Sequence, residues 1–395
     1  MINLIRVLAL TGSILCQLAL WSQPTVVQGT VFSDANGNGR QDNQEIGLAG
    51  VVVSDQNQVT RTDVNGHYTL SSDFPYHTIQ ITLPNGYLGK FWYPVSDQVN
   101  FALTPTGPQD HFIFVHASDC HVDSLNLPRM ARFRTLLDSI QPAFVLMSGD
   151  LVRDALRVTE PVARGYYELY MEQIGLIPYP VFSGVGNHEL FGIERDKSLV
   201  SASHPLYGKN MFRHYLGPDY YAFNYGGIHF ISVDAMEYQN LFYYGGIDTL
   251  QLSWLNRELA ATSGNPSVIT FNHIPLVSGG FSFQAFDEDD YYGPNIMRVD
   301  GKLRHRHIVA DYDALRKVIG NHPYPLALSG HYHAAQSASF ELSGTQFRQT
   351  SALTRPDRFT FHDFEIRSGF TVYEVDHGAI IRSTFVPLNL PDVQK

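Results

Sequence analysis

Cysteine is almost absent: only Cys16 and Cys120 occur in 395 residues. Two thiols supply neither a disulfide framework nor a zinc ribbon, so stability must come from ordinary packed hydrocarbon. Charge is also sparse, at 16% where an average globular chain carries about 25%, while 44% of residues are hydrophobic and 13% aromatic. That balance excludes a disordered tail and a coiled coil. Gly (32) and Pro (21) are near ordinary usage, which excludes a collagen-like or low-complexity chain. A basic excess is missing too: Lys+Arg number 27 against 38 Asp+Glu, a net charge of -11. Non-specific binding to a nucleic-acid backbone is therefore not expected. An anionic small-molecule substrate remains open.

A long apolar run is likewise lacking. Met1 to Ser22 carries one positive charge, Arg6, and an apolar stretch from Val7 to Trp21 that Thr11-Gly12-Ser13 and Gln17 interrupt. It reads as a secretory signal peptide over residues 1–22, because a membrane-spanning helix needs about 20 apolar residues. A lipid anchor at Cys16 is disfavoured by Leu15 before it, where a small residue is required. The expectation is export, to the outside, the periplasm or the cell surface, with no transmembrane segment in the mature chain.

Residues 23–105 are rich in short β-prone runs, among them Val26-Val27, Val51-Val52-Val53, Tyr68-Thr69-Leu70 and Ile79-Gln80-Ile81. Turns such as Asp63-Val64-Asn65-Gly66 separate them, as in a β-sandwich. Within this region Asp34, Asn36, Asn38, Gly39, Arg40, Asp42 and Glu45 match D-x-[DN]-x-[DN]-G-x5-E. Side-chain oxygens of Asp34, Asn36, Asn38 and Asp42, the Arg40 carbonyl and a bidentate Glu45 suit structural Ca²⁺. The alternative is a plain Asn/Gly-rich turn. Strand-like flanks exclude a helix-loop-helix hand, and the segment resembles the Ig-like or B-type modules of surface adhesins and of secreted bacterial phosphoesterases.

From about Asp110 the pattern changes to apolar strands alternating with amphipathic helices, an α/β signature expected over residues 106–395. His111 to Ala117 and Ala143 to Met147 read as buried strands. Between them Leu127, Met130, Phe133, Leu136, Leu137 and Ile140 fall on one helical face. Later strands are expected at Pro180 to Ser183, Ile228 to Val233, Val268 to Phe271 and Leu326 to Leu328. Each is followed by chemistry except that at Ile228: Asp119-Cys-His121 and Gly149-Asp150 follow the first two, and Gly186-Asn187-His188-Glu189 the third. Asn272-His273 and Gly330-His331-Tyr-His333 follow the last two. Ligand groups in α/β sheets gather beyond the carboxyl ends of strands, so five distant segments can meet.

D-x-H, G-D, G-N-H-[DE], H and G-H-x-H in this order resemble the calcineurin-like metallophosphoesterase superfamily. The resemblance covers Asp110 to the C-terminus and implies a four-layer α/β/β/α sandwich with a dinuclear site. By it, one ion takes Asp119, His121, Asp150 and His333, and the other Asp150, Asn187, His273 and His331. Such oxygen and imidazole donors suit Fe, Mn or Zn. It implies hydrolysis of a phosphomonoester or phosphodiester by a bridging hydroxide, with His188 protonating the leaving oxygen. A surface role is the plainer reading of His188.

Arg153 stands where purple acid phosphatases carry a ligating Tyr, so a ferric-tyrosinate site is not expected. The order Arg153-Asp154 reverses that of phosphoprotein phosphatases, which leaves the group orienting His188 open. Cys120 is expected to point away from its ligand neighbours. His111, His116 and His229 are expected to be core or edge residues. The insertion between His273 and His331 carries Phe281, Phe283, Phe286, Asp287 to Asp290, Tyr291, Tyr292, Arg298, Arg304, His305, Arg306 and His307, candidates for a substrate wall, with Arg304 or Arg306 as a phosphate contact and Arg153 as a further substrate-binding candidate. Residues from Ser339 on alternate as strands expected to complete the second sheet. The substrate class implied is a small-molecule, nucleotide or lipid phosphate ester. The rival reading is a calcium-dependent cell-surface binding module on an inactive phosphoesterase fold.

Overall fold

A computed structural model describes residues 25–72, 78–280, 289–290, 293–340, 343–354, 358–361 and 364–390. The signal-peptide expectation at 1–22 and the residues Phe281, Phe283, Phe286, Asp287, Glu288, Tyr291 and Tyr292 lie outside them. Among the described residues no helix is long and apolar enough to cross a membrane.

The N-terminal region is all-β, with two four-stranded sheets. One orders His67–Ser72, Thr25–Ser33, Phe101–Pro105 and Tyr87–Leu88; the other Val59–Arg61, Val52–Ser54, Thr78–Ile81 and Trp92–Pro94. Val27, Val31, Tyr68, Leu70, Val53, Ile79 and Ile81 are buried in one cluster; His67–Ser72 alternates as a strand covered on one face, whereas Val52–Ser54 and Thr78–Ile81 are buried on both.

The remainder is a mixed α/β sandwich. Its first sheet runs Val181–Ser183, Phe144–Met147, His111–Ala117, Gly369–Asp376, Ala379–Pro387. The second runs Tyr221–Tyr225, Ile228–Ser232, Ser267–Phe271, Leu326–Ser329, Gln346–Gln349, Gln336–Ser339. Strand alternation explains the layering: Phe112, Phe114, Phe144 and Leu146 enter the same cluster as Phe223, Phe230 and Ile269 between the sheets. Val115, Ala117, Val145 and Met147 face the other way and pack with Met130, Phe133 and Leu137 of the Leu127–Ile140 helix. Phe182 stacks on Phe223 at 3.8 Å between centroids and Phe114 meets Phe230 edge-on at 5.5 Å. Each buried ring contributes about 1.5–3 kcal/mol through removed apolar area.

One expectation needs correction. The C-terminal hairpin Gly369–Asp376/Ala379–Pro387 joins the first sheet, antiparallel to His111–Ala117 with Thr371 opposite His116, not the second. Among the described residues of this stretch, Gln336–Ser339 and Gln346–Gln349 extend the second sheet. The inner faces of both sheets are apolar, so alternation alone does not choose between them. The helix Glu160–Gly175 was not anticipated, because its buried stripe is Ala163, Tyr167, Tyr170 and Gln173 rather than aliphatic.

The two regions share buried polar contacts as well as a core. Trp254 Nε1 donates to Ser54 Oγ at 3.0 Å, Gln56 Nε2 to Asp219 Oδ1 at 2.9 Å, and the Thr82 hydroxyl to Glu258 Oε1 at 2.5 Å. Phe91 lies 4.8 Å from Tyr221. Glu258 is fully buried, and burial pushes its carboxyl up from 4.5 to about 7 against a smaller opposing effect of Thr82. As pH rises between those two values, the unfolded chain releases a proton that the folded protein holds, so stability falls across that window. Above it the loss is complete, on the order of 3 kcal/mol. Glu258→Gln is therefore expected to raise Tm at pH 8, with the gain shrinking toward pH 4.5; a gain independent of pH in thermal unfolding would contradict this account.

Candidate metal centre

The strand ends of both sheets deliver ligand-type side chains to one point. Asp119 and His121 follow His111–Ala117, Asp150 follows Phe144–Met147, and Asn187 opens a short 3-10 turn after Val181–Ser183. His273 follows Ser267–Phe271, and His331 and His333 follow Leu326–Ser329. Asp119, His121, Asp150, His331 and His333 all have positive φ, between 39° and 76°. Each such non-glycine residue costs about 1–3 kcal/mol and persists only where surrounding contacts dictate it.

Glycines permit the approach. A Cβ on Gly330 would stand 2.0 Å from Ser118 Oγ and 2.6 Å from Asp119 Oδ2, and one on Gly186 2.2 Å from the Asp150 nitrogen. Glu189 then ties the loops together. Its buried carboxylate accepts backbone N–H from Gly186, Asp150, Leu151 and Val152 at 2.7–3.0 Å. This role went unassigned in the sequence, although Glu189 directly follows Asn187-His188 in the motif. Asn126 adds a second brace, donating to the carbonyls of Cys120 and His121 at 2.9 and 2.6 Å.

Two groups of donor atoms result, each with members within 4.8 Å of one another: Asp119, His121, Asp150 and His333, and Asp150, His273 and His331. Asp150 belongs to both. His273 Nε2 lies 3.1 Å and His121 Nε2 3.6 Å from Asp150 Oδ2, and His333 Nε2 3.0 Å from Asp119 Oδ1. The His121 and His333 Nε2 atoms are 3.3 Å apart, and His273 Nε2 is 3.2 Å from His331 Nδ1. Two nitrogens sharing one ion at about 2.1 Å are about 3.0–3.4 Å apart at ordinary coordination angles. The Asn187 amide oxygen is buried with no hydrogen-bond partner among the described residues. Spacing, donor chemistry and this unsatisfied oxygen all fit two transition ions.

Electrostatics agree. Burial drives the Asp119 and Asp150 carboxyls toward neutrality, yet the imidazoles of His333 and His273 outweigh it and hold both below the ordinary range. Burial, reinforced by neighbouring imidazoles, holds His121 and His331 well below 6.5, in the neutral form a ligand needs. His273 differs: Asp150 overcomes burial and raises it to about 9, so an ion must displace its proton. Its Nδ1 faces the Ser148 carbonyl at 3.0 Å, which leaves Nε2 aimed at Asp150.

His188 stands at the open side, with 23% of its side chain exposed against 3% for Asp150. Its Nδ1–H donates to the Arg153 carbonyl at 2.7 Å, and Nε2 lies 3.8 Å from Asp150 Oδ2. A backbone carbonyl therefore orients this ring, while Asp154 pairs with Arg157 at 2.8 Å. The exposed Arg153 guanidinium lies 3.6 Å from Asp123. Both Asp311 oxygens accept from Arg304 Nη1 at 2.7 Å. Arg306 is fully buried with its guanidinium 4.6 Å over the Tyr243 ring.

Cys120 is buried and turned to the Leu151 carbonyl at 3.2 Å. His116 and His229 are buried in the core, and His111 pairs at the surface with Asp376 at 2.6 Å. In the N-terminal region, Asp34 accepts N–H from Gly37, Asn38 and Gly39 at 2.8–3.1 Å, and Asp42 Oδ2 accepts from the Asn36 and Asn38 amides at 2.7 and 2.9 Å. Glu45 takes the Ala35 and Asp42 N–H groups, and Arg40 N–H goes to Asn38 Oδ1.

Two ligand groups that share one carboxylate beyond the strand ends of a mixed α/β sandwich define a candidate two-ion centre. The model of the calcineurin-like phosphoesterase family matches residues 112–335, more than half of the chain, and this chain belongs to that family. A companion model, the N terminal of calcineurin-like phosphoesterase, matches residues 35–100. No curated protein matches significantly. Among solved structures the chain is similar to a dimetal phosphatase from Danio rerio, at 13% identity and TM-score 0.44, covering 72% of this chain and 100% of that one. It is similar also to a purple acid phosphatase from yellow lupin (Lupinus luteus) seeds, at 14% identity and TM-score 0.43, covering 92% and 69%.

Proposed function

We propose that this chain hydrolyses a phosphomonoester or phosphodiester of a small molecule, nucleotide or lipid with two transition ions, Fe, Mn or Zn. The observation that carries this reading is the Asp150 carboxylate, common to both donor groups. Asp119, His121, Asp150 and His333 would hold one ion, and Asp150, Asn187, His273 and His331 the other. When bound, such ions lower the pKa of water and neutralise charge on phosphoryl oxygens. The chain's own part is positional. Asp150 and Asp119 supply two negative charges against the four positive charges of two divalent ions, so the site stays cationic and receptive to an anionic ester. His188, with Nδ1 fixed by the Arg153 carbonyl, presents Nε2 on the open side and delivers a proton to the departing oxygen.

The reading is tested with mono- and bis-(p-nitrophenyl) phosphate in Mn²⁺, Zn²⁺ or Fe²⁺. Wild type is expected to turn over and Asp150→Asn to fall at least about 100-fold, since one change weakens both ions. His188→Ala is expected to cost about 10²–10⁴-fold with an alkyl ester and far less with the p-nitrophenyl leaving group, which departs without a proton. Equal turnover by wild type and Asp150→Asn, or none with any ion, would favour the inactive binding-module reading instead.

The same proposal extends to a leader over residues 1–22 with export, a module over 23–105, a catalytic domain over 106–395, and Ca²⁺ held by the Asp34 to Glu45 loop. The convergence of Asp34, Asp42 and Glu45 with two Asn side chains supports the last. Ca²⁺ titration of the metal-stripped protein is expected to raise Tm for wild type and not for Glu45→Gln. Identical responses of the two would count against the loop.

A further inference from the structure

His307 belongs to the insertion between His273 and His331 and to none of the five motifs. Its segment follows the hairpin Ile296–Val299/Lys302–His305 and is tied back by the Val309 N–H, which donates to the Pro275 carbonyl at 3.0 Å, two residues past His273. That return brings the His307 ring over His331, with centroids 5.0 Å apart and planes at 29°. His307 Nδ1 then lies 2.7 Å from His331 Nε2. The distance separates this pair from the ligand nitrogens, which stand 3.2–3.3 Å apart. It is a hydrogen-bond length and shorter than two nitrogens on one ion ordinarily allow.

We propose that His307 is a positioning residue for the metal centre, accepting a hydrogen bond from His331 Nε2–H and so fixing which His331 nitrogen faces the ion. This rests on the two-ion reading above. The chemistry follows from tautomers. His331 Nδ1 faces His273 Nε2 and the shared donor group, so Nδ1 must carry the lone pair and Nε2 the proton. A proton on Nε2 in a half-buried site needs an acceptor, and His307 Nδ1 is the atom within reach. His307 is held in turn by its backbone N–H, which donates to His305 Nδ1 at 3.0 Å. Ligating imidazoles commonly hand their second N–H to a carbonyl or carboxylate, as His273 does to Ser148; here an imidazole from the insertion takes that place.

The test compares wild type, His307→Asn, His307→Ala and His307→Gln by counting ions retained against a competing chelator, alongside the Tm of the ion-free forms. Asn places an amide oxygen where Nδ1 was, Gln moves it to the Nε2 position, and Ala removes it. Ala and Gln are expected to release one of the two ions about 10–100-fold more readily, with Asn within about threefold of wild type. If Ala lowers the ion-free Tm, the Gln–Asn contrast decides. Retention by Ala and Gln equal to wild type, or Asn failing as they do, overturns the role of His307 while the two-ion reading stands. A wild type that binds fewer than two ions overturns both.

Discussion

Asp150 puts a carboxylate, 3% exposed, within 3.1–3.8 Å of imidazoles from three separate loops. Desolvating one negative charge costs several kcal/mol, and removing it would leave the imidazoles without a common partner. The strand ends at Ala117, Met147, Ser183, Phe271 and Ser329 all bring side chains to this one group, so the two sheets have little freedom to slide. The aromatic stacking between them fixes the same alignment from below, through Phe114, Phe144, Phe182, Phe223 and Phe230.

Positive φ at five candidate ligands stores strain that the surrounding contacts offset, while Gly186 and Gly330 leave beside Asp150 and Asp119 the room a Cβ would fill. Glu189 is the buried clamp on that strain. Its four backbone hydrogen bonds hold the Asp150 and Gly186 loops in register, and burial followed by the nearby Asp150 pushes its carboxyl up to about 7. His188 takes its orientation from the carbonyl of Arg153, while Asp154 pairs with Arg157.

The convergence of the candidate ligands was legible because each motif begins one to three residues beyond an apolar strand, where fold and chemistry predict the same point. The β region before Asp110 was legible from its turns, and the Leu127–Ile140 helix from its aliphatic stripe. What escaped depends on contacts that periodicity does not encode. The C-terminal hairpin joins whichever strand edge is free, and Tyr167 and Tyr170 hide a helical stripe because their hydroxyls reach the Glu189 carbonyl and Ser183. Arg304 and Arg306 count as charges in the sequence, and their pairing with Asp311 and with the Tyr243 ring is visible only in the fold. His307 carries no motif and is found only by distance.

The central claim is that two transition ions share Asp150. Anomalous diffraction from crystals grown with Mn²⁺ tests it most directly. The account predicts two peaks about 3.5–4 Å apart, one toward Asp119 and His121 and the other toward His273 and His331, with the Asp150 carboxylate between them. A single peak, or a pair to which Asp150 contributes no oxygen, would contradict it.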